Sequence, residues 1–178
     1  KSISLLWMRI SNLSTEAFPS PHGHFRVVTF SFLVGNGIGP CLEAKDVLGV
    51  LHGDGPKDLT DKVIFLATEL LTMVGVPNAK HKVIEILESG KALEKFRQMV
   101  VAQGGKKSLH VSKADNVEVV LAKKTGTISV LNNKLLARVA RIAGAPADKT
   151  AGVYLAVKRG AKVKVGDRLM VIFSQNKD

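Results

Sequence analysis

The sequence predicts a mixed α+β chain: a run of amphipathic helices, then a strand-rich segment holding one helix. Three observations carry this. Apolar residues recur at spacings of three and four through residues 42–103. Past residue 106, stretches such as "VEVVLA" and "GTISVL" read as strands. Gly104-Gly105 and the polar residues after them separate the two textures, which places a boundary near residues 104–115.

Residues 1–25 include "STEAFPSPHGHF", whose Pro, Ser and Gly punctuation and lack of period read as loop. "FRVVTFSFLV", residues 25–34, is β-branched and aromatic and reads as a buried strand. The stretch "VGNGIGPCLEAKD", residues 34–46, then runs three alternate glycines into a helix-forming segment. A helix over 42–52 puts Ala44, Val47, Leu48 and Leu51 on one face, and "HGDGP" ends it. Asp58 is the expected N-cap of the next helix, with Asp61 in its first turn. Its stripe is Leu59, Val63, Leu66, Ala67, Leu70 and Val74, and Gly75 and Pro77 stop it. Two further helices follow, one with Val83, Ile84 and Leu87, the other with Leu93, Phe96 and Val100. Such stripes need a partner surface.

Within the strand-rich part, "NNKLLARVARIAGA", residues 132–145, reads as a helix with Leu135, Leu136, Val139 and Ile142 on one face. Asn132 or Asn133 caps it, and Gly144 with Pro146 ends it. Residues 151–174 read as strand, turn, short strand, turn, strand, with Gly160 and Gly166-Asp167 at the turns.

The chain has 178 residues and is 46% hydrophobic, enough for a packed core. Its apolar runs are short, so no membrane span is expected. The single cysteine, Cys41, excludes an internal disulfide and fits a reducing, cytoplasmic setting. Net charge is uneven. Residues 1–105 hold 11 basic and 10 acidic residues, whereas residues 106–178 hold 15 and 5. The ordinary reading of the basic block is a solvated face; the sharper one is a polyanion surface. Aromatics are too few for base stacking, with Tyr154 and Phe173 the two in the basic part, so nucleic acid is not the expected partner.

The glycine stretch resembles a phosphate loop but fits neither GxGxxG nor the Walker pattern. Strand, turn and helix start would gather backbone N–H groups that attract an anion. Pro40 has no N–H, however, and Glu43 and Asp46 fall in the first helical turns, where their charge repels phosphate. The carbonyls of such a turn, with Asp46, could instead coordinate a hard cation. His22 and His24 offer two metal nitrogens, too few for a zinc site. Cys41 reads as a buried, inert thiol, and no Ser-His-Asp signature is present.

Read together, "GNGIGPCLEAKDVLGVL", "GPKDLTDKVIFLATELL", "SGKALEKFRQMVVAQGG" and the segment from "GTISVL" to "VIFS" resemble the thymidine/pyrimidine nucleoside phosphorylase family, in particular its archaeal AMP phosphorylase branch. The likeness spans roughly residues 34–175 in order. It implies three segments. Residues 1–33 are atypical for the family, 34–105 are the helical remnant of an α/β phosphorylase domain, and 106–178 form its strand-rich barrel-sandwich domain with one helix. It also implies phosphate-dependent cleavage of an N-glycosidic bond: AMP and phosphate to adenine and ribose 1,5-bisphosphate, or phosphorolysis of thymidine or another pyrimidine nucleoside. Phosphate and the nucleoside or nucleotide are then the substrates, in a homo-oligomer. The family's phosphate-gripping Lys/Ser loops precede the glycine stretch, so no catalytic or substrate-binding residue is assigned here, and the chain alone is expected to be inactive. Members bind a monovalent cation through two loop carbonyls and a helix acid. The matching positions are Val34, Gly37 and Asp46, implying a partial potassium site with no other cofactor required. "VKRGAKVKVGDRL" also resembles a lipoyl or biotinyl carrier, although no Met-Lys-Met-like tripeptide appears. A carrier module or a basic nucleic-acid-binding module is therefore the competing expectation.

Overall fold

A computed structural model describes residues 16–19, 25–28 and 33–175. The His22-His24 pair and residues 29–32 of the expected first strand lie outside the described residues. Two four-residue strands precede the glycine stretch: β1, Glu16–Pro19, pairs antiparallel with β2, Phe25–Val28. Glu16–Pro19 was expected as loop. Its pairing with the β-branched "FRVV" overrides its weak local propensity.

Next come β3 (Gly37–Ile38) and four helices: α1 (Pro40–His52), α2 (Lys57–Met73), α3 (Ala79–Glu88) and α4 (Lys91–Ala102). Pro40 opens α1 at a position where a missing N–H costs nothing. The buried face of α1 is Leu42, Asp46 and Val50, not the expected Ala44, Val47, Leu48 and Leu51; Ala44 is exposed. A buried acid sits at the centre of that face, and apolar periodicity cannot anticipate it. Asp58 is not the N-cap of α2. Pro56 holds that position, and the Asp58 Oδ1 accepts from the Leu59 N–H at 2.9 Å inside the first turn. Along α2, Leu59 is buried, but Leu70 is 57% and Val74 75% exposed, so much of the stripe is uncovered in this chain.

The remaining elements are β4 (Asn116–Leu121), β5 (Gly126–Thr127), α5 (Asn133–Ile142), β6 (Gly152–Leu155), β7 (Lys162–Val163) and β8 (Arg168–Ser174). Strand order in the main sheet is β3-β6-β8-β4, all pairs antiparallel, and β5 pairs with β7 in a separate ribbon. The described chain is thus mixed α+β, as expected, with an open sheet and no closed barrel among the described residues. Of "GTISVL" only Gly126–Thr127 is strand. No helix among the described residues is long and apolar enough to cross a membrane.

The core packs α5 onto β6. Leu136, Ala140, Ala145, Ala151, Val153 and Leu155 are buried together, with Ile38, Val139, Met170 and Ile172 against them. Two residues of the expected α5 stripe miss this core: Leu135 is exposed and Ile142 is 77% exposed. The face that packs carries Leu136 and Ala140, the two buried residues of the helix. The expected cap is present, since Asn132 Oδ1 accepts from the Lys134 and Leu135 N–H groups at 3.1 and 3.2 Å. Asn132→Ala is expected to cost about 1 kcal/mol in a urea titration.

Candidate functional site

The glycine stretch does not merely connect elements. Its centre, Gly37–Ile38, is the edge strand of the sheet built by the C-terminal segment, with Gly37 opposite Tyr154 and Ile38 opposite Val153. The Leu155 N–H donates to the Asn36 carbonyl at 2.8 Å, and the Cys41 N–H to the Lys149 carbonyl at 3.0 Å. Cys41 itself is half-buried rather than buried.

Asp46 organises the loop. Nearly two helical turns in from the start of α1 it is 4% exposed, and its Oδ2 accepts from the Asn36 N–H at 2.6 Å and the Gly37 N–H at 2.7 Å. Glu43 Oε1 accepts from the Gly39 N–H at 3.1 Å. The amides that an anion would seek are therefore held by the chain's own carboxylates. Gly35 has φ +78°, and a Cβ there would lie 2.8 Å from Asp46 Oδ2, so the loop closes onto the acid only with glycine at this position.

The other oxygen, Asp46 Oδ1, is buried and accepts no hydrogen bond. A buried carboxylate oxygen left this way is costly unless something positive or a donor faces it. Of the three residues expected to hold a cation, Val34 is half-buried at the loop's start, Gly37 is buried, and Gly37 is tied directly to Asp46. A buried hard oxygen of this kind is one ligand of the type an alkali cation takes, and the Tyr154 hydroxyl also interacts with this carboxylate. No group of three or more His, Cys, Asp or Glu side chains suited to a metal occurs among the described residues.

Two residues that sequence reasoning missed complete the site. Tyr154 reaches the loop from β6; its hydroxyl lies 3.5 Å from Asn36 Nδ2, and the Lys45 ammonium sits 4.8 Å from its ring centroid. Lys45, Asp46, His52, Asp54 and Tyr154 line a cleft of about 230 Å³. Strand alternation offers a signal for Tyr154: Val153 faces the core, so its neighbour faces the other way. Lys158, in the turn between β6 and β7, donates to the Gly35 carbonyl and pairs with Asp58 Oδ2 at 2.9 Å. No local pattern announces a contact across 123 residues.

Burial pushes the Tyr154 phenol above its ordinary value; the Asn36 amide opposes this and the Asp46 carboxylate adds to it. The folded state therefore favours the neutral phenol. That stabilisation is complete below the ordinary phenol range near pH 10 and is lost as pH rises through the folded value. Comparing the chain with Tyr154→Phe across pH checks this. The gap in unfolding free energy is expected to stay flat up to about pH 9 and to move against the tyrosine form above about pH 10.

Residues 127–178 match the pyrimidine nucleoside phosphorylase C-terminal domain. The chain is 41% identical over 146 residues to an AMP phosphorylase of Thermofilum pendens, covering 80% of this chain and 29% of the relative. It is 42% identical over 147 residues to AMP phosphorylase 1 of Archaeoglobus fulgidus, with 80% and 29% covered. To a putative thymidine phosphorylase of Legionella pneumophila it is 42% identical over 148 residues, with 80% and 28% covered. The chain thus spans less than a third of the length of these relatives.

Proposed function

The chain belongs, through its C-terminal portion, to the pyrimidine nucleoside phosphorylase family, and on that premise we propose that it is the structural part of a nucleoside or nucleotide phosphorylase. The reaction it serves is phosphorolysis. A phosphate oxygen bonds to the anomeric carbon, the N-glycosidic bond breaks, and the base leaves with the bond's electron pair. With AMP the products are adenine and ribose 1,5-bisphosphate, and with thymidine or another pyrimidine nucleoside the free base and the sugar 1-phosphate; relatives named AMP phosphorylase and thymidine phosphorylase match to a similar degree.

One observation carries the reading of this chain's own share: the glycine loop is closed by Asp46 on the Asn36 and Gly37 amides. A loop closed this way does not receive phosphate. It fixes the helical segment to the C-terminal sheet, so that groups contributed from elsewhere in a phosphorylase meet a rigid wall. Val34 and Gly37 carbonyls with Asp46 Oδ1 would hold a monovalent cation such as potassium, which would supply the positive charge that the orphaned oxygen faces. The uncovered stripe of α2 supports assembly with further protein, including a second copy in a homo-oligomer.

The chain alone is expected to release no base from AMP, thymidine or uridine above a buffer control in excess phosphate. Turnover by the purified 178-residue chain would overturn the proposal.

A further inference from the structure

We propose that the Gly35 carbonyl and the Asp58 carboxylate form a seat for a small monovalent cation, and that the chain fills it with its own Lys158 ammonium. Three separate elements meet there. Gly35 heads the glycine loop, Asp58 lies in the first turn of α2, and Lys158 sits in the β6–β7 turn. Asp58 is oriented for the task, because its Oδ1 is held by the Leu59 N–H while Oδ2 turns to the ammonium.

The loop is thereby closed by two opposite charges. Asp46 takes its amides from inside, and Lys158 takes the Gly35 carbonyl from the rim. The seat is open to solvent, with the Lys158 and Asp58 side chains 36% and 40% exposed, so a dissolved cation can reach it when the lysine is removed. Tethering gives the lysine a high effective concentration, which makes the closed loop indifferent to the ions in solution. This seat shares no ligand with the Val34, Gly37 and Asp46 set and does not rest on the phosphorylase reading.

Chemical rescue tests it, using the full chain and amide hydrogen exchange at Asn36, Gly37 and Leu155, with α4 amides as reference. Lys158→Ala is expected to speed exchange at the loop roughly five- to tenfold without affecting α4. Ammonium or ethylammonium chloride should restore protection in this variant. Choline chloride at equal ionic strength, too bulky for the seat, should not, and the unmodified chain should respond to neither salt. Should Lys158→Ala fail to fold, Asp58→Asn serves instead: it keeps the shape, removes the seat's charge, and should speed loop exchange without ammonium rescue. Unchanged loop exchange in the variants, or equal restoration by choline, would overturn the proposal.

Discussion

Asp46→Ala is expected to lower the unfolding free energy by about 3 kcal/mol, with the loss seen as an earlier midpoint in a urea titration followed by circular dichroism. The substitution removes the acceptor of two amides, the part-buried Asn36 N–H and the buried Gly37 N–H. It also empties the centre of α1's buried face, between Leu42 and Val50. Asp46→Asn keeps an acceptor oxygen but loses the charge, and roughly half the effect is expected, since hydrogen bonds to ionised acceptors are about twice as strong as neutral ones. A loss equal in both variants would mean that charge contributes nothing to the clamp.

The second large effect is expected at the other side of the same junction. Gly152→Ala should cost about 3 kcal/mol or more and lower the melting temperature by about 10 °C. Gly152 has φ +153°, and a Cβ there would lie 2.1 Å from the Ile38 carbonyl oxygen and 3.0 Å from Leu42 Cδ1. The nearer atom is backbone, so β3 has to move away from β6. The signature is specific. Protection of the Leu155 amide, which bonds the Asn36 carbonyl, should fall further than that of the β4–β8 pairs at the opposite edge of the sheet.

These two positions also mark where sequence reading ran out. The strands after residue 106 were legible because glycine turns at Gly160 and Gly166 bracket alternating residues. The cap of α5 was legible because an asparagine precedes an apolar period. Such signals are local. Asp46 was legible as a candidate ligand, but its burial was not, because a periodicity analysis assigns acids to the solvent face. The roles of Tyr154 and Lys158 depend on pairings with residues 118 and 123 positions away, and those exist only once β3 has joined the sheet. Of the stripe read for α2, Leu59 is buried, whereas Val63, Leu70 and Val74 meet solvent and Val74 lies just past the helix end, because periodicity reports which residues share a face and not whether anything covers it. A related outcome is expected in solution: the chain should self-associate with rising concentration, and Leu70→Glu with Val74→Glu should reduce this in sedimentation velocity while leaving the circular dichroism spectrum intact.

The most direct test of the loop's nature is a titration with orthophosphate, read from the ¹⁵N–¹H signals of Asn36 and Gly37. Asp46 already holds both amides, so their signals should stay in place while phosphate rises to concentrations that saturate phosphate-binding enzymes. Saturable shifts centred on these two amides, abolished by a substitution in the loop, would show that the stretch binds phosphate after all.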